Sequence, residues 1–323
     1  MLGPTLYLSA GSIHSGIGHL CRSQEIIALL RNRGANVCAV GLLGNDDEIR
    51  KLSDTMVEYD VLETSISNLS VRDTIGAVVD VDVALQPEIR EWLENHHLKA
   101  VGLDWYSDPG RTIVEAINMR GGRDALKYCI VRREFREIRR RSRSRAKLYD
   151  VVVSLGGGDT GEIVLKVVNK LAGSGILRGR TVAVMNGPFV SSGEFDSLVK
   201  DLGIHFFYNV DSPALIMGNA TVGISNGGST LMEFAYMGVP VIVLPRTDAE
   251  RMFADSFVQA GCARMGEDNG EDVCALVRDL LDDPDEQRAM FDAGCALVDG
   301  KGSERIVGII GNVLWRKNEG KGS

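Results

Sequence analysis

The sequence lacks any apolar run approaching the roughly 20 residues that a helix needs to span a bilayer. Its first ten residues carry no basic leader and no cleavage site, so we expect no signal peptide. The six cysteines are scattered without a C-x-x-C pair, and the five histidines lack metal-ligand spacing. Scattered thiols are typical of a reducing compartment. The sequence therefore predicts a cytoplasmic protein without a transmembrane segment or a structural metal.

Positively charged residues are outnumbered: the sequence has 36 Lys and Arg and 44 Asp and Glu, which gives a net charge of −8. A dedicated nucleic-acid binder needs a basic footprint, so we expect no nucleic-acid partner. The exception is local: residues 132–147 contain eight arginines. As a helix this segment fits a solvated surface beside a linker, and as a patch it could attract an anionic polymer or membrane phosphate. We favour the solvated interpretation.

Short apolar, β-branched segments alternate with helical ones along the chain, which is typical of parallel sheets covered by helices on both faces. The pattern restarts at Asp150-Val-Val-Val-Ser154, directly after the arginine-rich segment. We therefore predict an α/β protein of two Rossmann-like doubly wound domains, residues 1–147 and 148–323. The last helix of the chain could pack back on the first domain. Ligands of such sheets bind at the carboxyl ends of the strands.

The strongest motif is the sequence VGISNGGSTLME, residues 222–233, where a buried strand runs into a helix. Gly227 and Gly228 allow close backbone approach and Ser229 can cap the helix, so first-turn N–H groups point at the loop. The motif, centred on 225–230 with Asn226 and Thr230 included, predicts an anion site. A carboxylate repels phosphate, so Glu233, one turn on, suits a neutral diol such as ribose. The alternative is an ordinary strand-turn-helix.

A second glycine loop, LGGGDTG at residues 155–161, also follows a strand and precedes a helix. Gly157, Gly158 and Asp159 could supply donors to phosphate. The loop lacks the Gly-Lys-Ser/Thr ending of a nucleotide triphosphatase loop, which excludes that class. A flexible turn with Asp159 as helix cap is the alternative.

Near the N-terminus, residues 11–22 join the first strand to the first helix. Gly16 and Gly18 suggest a dinucleotide fingerprint, but Cys21 stands where its third glycine or alanine belongs, which argues against NAD. His19 falls in the first turn of the helix, at the carboxyl edge of the sheet.

Histidine takes and releases protons near neutral pH, so His19 could act as a general base. Arg22 lies on the same side of the helix and could pair with a phosphate or orient a neighbour. His14, on the loop itself, could also reach the site. Each histidine could instead be structural or solvated.

Together these motifs resemble the B-type glycosyltransferase superfamily. Within it the likeness is to the nucleotide-sugar hydrolases of the pseudaminic acid pathway and to spore-coat polysaccharide proteins. The matching segments follow the family's order and cover nearly the whole chain. They are Gly16-x-Gly18-His19-x-x-Arg22, KYCIVRREF at 127–135, VVSLGGGD at 152–159, and SNGGSTLME at 225–233 followed by Gly238-Val-Pro240.

The resemblance implies a GT-B fold, with the active site in a cleft between the two domains. It implies that the C-terminal domain binds the nucleotide of a UDP-sugar substrate. Uracil would be held by the backbone from Tyr208 to Val210, ribose by Glu233 and diphosphate by Gly227 to Ser229. It further implies that His19 is the catalytic base and that neither a metal nor a cofactor takes part.

Three functions stay open. A hydrolase would use His19 to activate water at the anomeric carbon, releasing UDP and a free sugar. A glycosyltransferase would use it on an acceptor hydroxyl. A non-catalytic protein would bind nucleotide-sugars, or polyanions through the arginine-rich segment. The chain departs from the family at Gly158-Asp159-Thr160, where Ser-Asp-Pro is expected, and at 246–251, where an Asn-Gln pair is expected. The sugar is therefore not identified.

Overall fold

A computed structural model describes residues 3–12, 16–120, 122–141, 147–158, 160–187, 204–210, 212–267 and 272–315. Among these, the first of two compact units comprises 3–120, 128–130 and 301–315. The second comprises the described part of 122–127 and 131–300. The arginine-rich helix at 133–141, which the predicted boundary at residue 147 assigns to the first domain, lies in the second unit.

The first unit is built on a parallel sheet. Its strands are β1 (Thr5–Gly11), β2 (Val37–Leu43), β3 (Val61–Glu63), β4 (Gly76–Asp80), β5 (Ala100–Leu103) and β6 (Ile113–Ile117). Its helices are α1 (Gly18–Asn32), α2 (Asp46–Leu52), α3 (Gln86–Asn95) and α11 (Gly302–Ile310), the last running into a π-helical turn at Gly311–Trp315. The strand order is β3-β2-β1-β4-β5-β6.

The second unit repeats the design. Its strands are β7 (Tyr149–Ser154), β8 (Val182–Asn186), β9 (His205–Tyr208), β10 (Ala220–Ser225), β11 (Val241–Val243) and β12 (Ala263–Met265). Its helices are α4 (Arg133–Arg141), α5 (Gly161–Gly173), α6 (Pro213–Met217), α7 (Ser229–Met237), α8 (Asp248–Gln259), α9 (Val273–Asp282) and α10 (Pro284–Leu297). A helix predicted at 194–202 lies outside the described residues.

The second sheet has the order β12-β11-β10-β7-β8-β9, which is the order of the first sheet when its strands are counted from β7. Both sheets are therefore doubly wound, with the strand order of a Rossmann fold. This confirms the predicted architecture. The sequence pattern missed β3, β9 and β12, which are short edge strands and mostly half-buried or exposed, so they lack the continuous burial that marks the equally short β5 and β11.

Apolar residues on both faces of each sheet explain why the strands form. In β1, Leu6 and Leu8 pack on one face, and Tyr7 packs on the other with Val78 of β4. All seven β1 residues are buried, as expected for a central parallel strand.

Helix α11 completes the core of the first unit from a distant part of the sequence. Its Ile306, Val307 and Ile310 are buried against Ile26 and Leu30 of α1. Farther along, the Trp315 indole Nε1 donates a hydrogen bond to Thr5 Oγ1 at 3.0 Å. Burying each aliphatic side chain contributes roughly 1.5–3 kcal/mol. Residues 302–315 are thus part of the first unit's fold. Within the described part of the chain, no helix is both long and apolar enough to span a membrane.

Candidate active site

His19 lies in the first turn of α1, where its side chain is 15% exposed. Its Nδ1 lies 2.7 Å from Oδ1 of Asp80, the last residue of β4. A carboxylate only accepts hydrogen bonds, so Nδ1 carries the proton and Nε2 of the neutral ring holds a lone pair. Arg22 Nη2 also lies 3.1 Å from His19 Nδ1. Because Nδ1 donates its proton to Asp80, it cannot accept a hydrogen bond from Arg22 as well. The ring is therefore held with its protonated nitrogen at Asp80 and its unprotonated nitrogen, Nε2, directed away from it.

Asp80 is completely buried and accepts hydrogen bonds from three side chains. Besides His19, Arg22 Nε and Ser23 Oγ each donate to its Oδ2 at 2.9 Å. Burial by itself would raise the pKa of Asp80, but Arg22 and then His19 outweigh it and hold this pKa well below its usual range. The carboxylate is thus ionised at neutral pH.

Arg22 is clamped between two carboxylates. Its Nη1 donates to Asp104 Oδ2 at 2.9 Å, while its Nε and Nη2 bond Asp80. Asp104 follows β5 with φ +49°, and its Oδ1 accepts the Met119 backbone N–H at 2.7 Å. Arg22 thus contacts Asp80, the carboxylate that also contacts His19. Any phosphate at Arg22 would compete with two carboxylates for the same guanidinium.

The sheet order explains why these groups meet. Strands β1, β4 and β5 are neighbours, so the residues at their carboxyl ends share one edge of the sheet. Sequence reasoning missed Asp80 and Asp104. The signal was present, because each carboxylate directly ends a buried apolar strand, AVVD and VGLD.

Gly16 and Gly18 shape the turn before His19. Gly16 has φ +81°, and its backbone exchanges two hydrogen bonds with Ser12 at 2.8 and 3.2 Å. Gly18 is the first residue of α1, so the turn delivers His19 directly to the sheet edge. His14 lies outside the described residues.

In the second unit, α7 begins at Ser229 and its N-cap is Gly228. The prediction that Ser229 caps the helix is therefore wrong, because Ser229 is already helical. A glycine offers no side chain to cap the first turn, so the free N–H groups of α7 are left to a ligand or solvent. Ser229 and Thr230 are both half-buried beside this end.

The loop before α7 packs tightly on α8. A Cβ at Gly227 would lie 2.3 Å from the backbone oxygen of Glu250, so only glycine fits there. Asn226 Nδ2 donates to Glu250 Oε1 at 2.7 Å, which fixes the orientation of its amide. A Cβ at either Gly156 or Gly228 would lie 3.3 Å from the same Nδ2. The Asn226 side chain therefore lies between the two predicted glycine loops and brings them together.

The second glycine loop is close to the end of β8. Gly156 has φ +96°, and a Cβ at Gly187 would lie 2.8 Å from Gly157. The half-buried Gly157 and the buried Gly158 follow β7 as predicted. Asp159 lies outside the described residues. Helix α5 then starts with Thr160 as its N-cap, and Thr160 makes no side-chain cap hydrogen bond.

Three buried polar side chains at this edge have unsatisfied atoms. Both amide atoms of Asn186, at the end of β8, Oδ1 of Asn226 and Oγ1 of Thr160 lack hydrogen-bond partners in the described structure. Each buried unpaired group costs about 1–3 kcal/mol. Sequence reasoning missed Asn186, since an isolated Asn carries no pattern, whereas Thr160 belongs to the predicted LGGGDTG loop.

Tyr208 ends β9, where it pairs in register with Asn186 of β8. Tyr208 and Val210 are both half-buried. Because β9 is three strands from β10, the two strand ends are roughly 14 Å apart. The predicted base and diphosphate positions thus share one edge of the second sheet.

Glu233 is buried in α7, where it pairs with an arginine side chain. Arg132 Nε donates to its Oε1 at 2.7 Å, and the guanidinium of Arg139 lies 4.4 Å from the centre of the Tyr236 ring. The solvated interpretation of the arginine-rich segment is therefore wrong for Arg132 and Arg139. The solvated interpretation is correct for Arg133, whose side chain is 78% exposed.

Residues 148–296 match the family model of the glycosyltransferase family 28 C-terminal domain. The matched residues all lie in the second unit, and we call them the family 28 domain after this match. The match is to a glycosyltransferase model, which agrees with the superfamily that the motifs predicted. The family 28 domain carries the Gly227 loop, the Gly157 loop and Glu233.

Two solved structures share the fold over nearly the whole chain. MurG of Acinetobacter baumannii has a TM-score of 0.63 and 11% identity, covering 96% of this chain and 100% of its own. The UDP-GlcNAc 2-epimerase of Neisseria meningitidis, solved bound to UDP-GlcNAc, has a TM-score of 0.65 and 11% identity, covering 95% and 99%. The family 28 domain and the first unit thus form a GT-B fold, as predicted.

A protein of Methanocaldococcus jannaschii, the uncharacterized protein MJ1062, is 22% identical over 282 residues. The match covers 78% of this chain and 57% of that protein. The chain therefore spans little more than half the length of this relative.

Proposed function

We propose that this protein cleaves the bond between the anomeric carbon and the diphosphate of a UDP-sugar, using water and His19 as general base. The observation that carries the proposal is the His19–Asp80 pair. It fixes the tautomer that leaves Nε2 unprotonated, on a side chain that is 15% exposed.

The family 28 domain supports the choice of donor. Its α7 begins at a glycine N-cap, where a diphosphate would meet free N–H groups and the positive end of the helix. We assign the diphosphate to Gly227–Ser229, the ribose to Glu233 and the uracil to the backbone at Tyr208–Val210. The similar epimerase was solved with UDP-GlcNAc, which favours a UDP-sugar.

In the proposed reaction, His19 Nε2 takes a proton from water as the water oxygen bonds to the anomeric carbon. The bond from that carbon to the diphosphate oxygen breaks, and its electron pair leaves with UDP. Asp80 stabilises the imidazolium that forms, and the α7 N–H groups stabilise the departing charge. The products are UDP and the free sugar. The motifs shared with the pseudaminic acid pathway hydrolases favour water as the acceptor.

A glycosyltransferase is the second candidate, because residues 148–296 match a glycosyltransferase domain. Its chemistry would differ only in the O–H that His19 deprotonates. The non-catalytic polyanion-binding alternative loses support, since Arg132 and Arg139 are engaged with side chains of the family 28 domain.

The test is UDP release by wild type and His19→Ala from a panel of UDP-sugars, with and without acceptors. Removing a general base lowers the rate by about 100- to 10,000-fold. Acceptor-independent release lost in His19→Ala supports the hydrolase, and release only with an acceptor supports the transferase.

His97→Asn is the matched control, since exposed His97 has φ +54° and asparagine tolerates that conformation. It should release UDP at the wild-type rate. Full release by His19→Ala, or a melting temperature that UDP does not raise, contradicts the proposal.

A further inference from the structure

The KYCIVRREF segment, residues 127–135, has no role in the chemistry proposed above. Its apolar residues fix it in place, since Val131 and Phe135 are completely buried. Between them, Arg132 is held partly exposed and reaches α7 of the family 28 domain. The segment therefore holds one guanidinium at a defined position against the helix that carries Glu233.

The Arg132 guanidinium is fixed from three sides. Its Nε donates to Glu233 Oε1 at 2.7 Å, and its Nη1 lies 3.1 Å from Glu134 Oε1. Its centre lies 4.9 Å from that of the Phe135 ring. A planar guanidinium held by two carboxylates and an aromatic ring has little freedom to rotate.

Glu233 gains a fixed orientation from this pair. Its side chain is only 7% exposed, so the carboxylate needs a partner to stay charged in place. A carboxylate has about four lone-pair sites on its two oxygens. Arg132 takes one site on Oε1 and leaves the others for hydroxyl donors.

We propose that Arg132 is a positioning residue for ribose recognition, which aims the Glu233 carboxylate at the ribose hydroxyls and so selects ribonucleotides over 2′-deoxyribonucleotides. This inference rests on the proposed function, in which Glu233 binds the ribose. Arg132 itself touches the carboxylate and acts on the nucleotide through it.

The test is calorimetric binding of UDP and 2′-deoxy-UDP to wild type, Arg132→Ala, Arg132→Lys and Arg133→Ala. A hydroxyl bonded to a carboxylate should make wild type bind UDP about 10- to 100-fold more tightly than the deoxy form. Arg132→Ala should bring this ratio close to 1 through weaker UDP binding, with 2′-deoxy-UDP little changed. Arg132→Lys, which keeps the charge but loses the planar fork, should give an intermediate ratio.

Arg133→Ala is the matched control. It removes the next arginine of the same segment, which pairs with Glu137 on the surface and should leave the ratio unchanged. In a Glu233→Gln background, Arg132→Ala should have no further effect on the ratio, because Arg132 acts only through the carboxylate. This comparison also covers the case in which Arg132→Ala alone folds poorly.

Three results would overturn the inference. The first is an affinity ratio that Arg132→Ala leaves unchanged, whether both nucleotides bind as in wild type or lose affinity equally. The second is a wild type that does not discriminate, and the third is an effect of Arg132→Ala on the ratio that persists in the Glu233→Gln background. In each, UDP still binds the wild type and the proposed cleavage of a UDP-sugar stands, although a wild type that does not discriminate would also remove the ribose from Glu233. Wild type that binds neither nucleotide refutes the proposed function and this inference together.

Discussion

His19 and Arg22 share one buried carboxylate, Asp80, and that sharing sets how the His19 ring is held. The ion pair with Arg22 keeps Asp80 charged, and the charged Asp80 keeps the His19 proton on Nδ1. Asp104 holds the far side of Arg22. A change at either carboxylate therefore reaches His19 through a chain of direct hydrogen bonds.

Stability should depend on pH through Asp80. Its folded-state pKa is depressed, so its stabilising contribution is complete above the unfolded value of about 3.9 and is lost as pH falls toward the folded value. Wild type should exceed Asp80→Asn in free energy of unfolding at pH 7, and the gap should narrow below about pH 4. Urea titrations at several pH values measure this.

The control for that titration is Asp82→Asn, which keeps the side-chain oxygen that accepts the Ala84 N–H. Its stability should follow wild type across the same range. A gap between wild type and Asp80→Asn that stays constant or widens on acidification would contradict the ion-pair account.

At the scale of elements, the close packing of the Gly227 loop against α8 determines the shape of the proposed diphosphate site. In Gly227→Ala the new methyl would meet the Glu250 carbonyl at 2.3 Å, so loop or helix must move. We expect a loss of about 1–3 kcal/mol in stability and weaker UDP binding. Thermal melting and calorimetry with UDP measure both effects.

Gly308→Ala supplies the comparison, because a Cβ there meets nothing within 4 Å, and Gly308 lies inside α11, which continues into the π-helical turn. That exchange should raise stability by about 0.5–1 kcal/mol and leave UDP binding unchanged. Gly227→Ala with wild-type UDP affinity would show that the loop does not shape a nucleotide site.

Some features of the elements could be predicted from the sequence, and others could not. Continuous apolar runs such as β7 and β10, followed by glycine loops, predict strand, turn and helix, because burial on both faces leaves a plain pattern. The N-cap at Gly228 was missed, since it depends on backbone angles at one residue. The Arg132–Glu233 pair joins residues about 100 positions apart, and nothing local to either side chain indicates the other.

For the whole molecule, the first unit depends on a helix that follows the family 28 domain in the sequence. Ile306→Ala should lower the free energy of unfolding by about 2–5 kcal/mol, because it opens a cavity beside Ile26 of α1. Ile309→Ala, at a half-buried position of the same helix, should cost clearly less. Chemical denaturation measures both, and equal losses would contradict the packing of α11 on α1.

Two similar sheets were predictable at this scale from the repeated alternation of strand and helix. The assignment of residues 133–141 to the second unit was not, because an arginine-rich helix looks solvated until the contact of its Arg139 with Tyr236 is seen.

Helix α11 belongs to the first unit but is synthesised after the second unit, and this order affects folding on the ribosome. A ribosome releases residues 3–120 about 180 residues before α11, which at 5–20 residues per second is a delay of roughly 10–40 seconds. Throughout that interval the side of α1 that packs on α11 lacks this partner, while α1 already lies against β1 and β2. Until α11 has left the ribosome, the nascent first unit therefore exposes the side of α1 that α11 later covers.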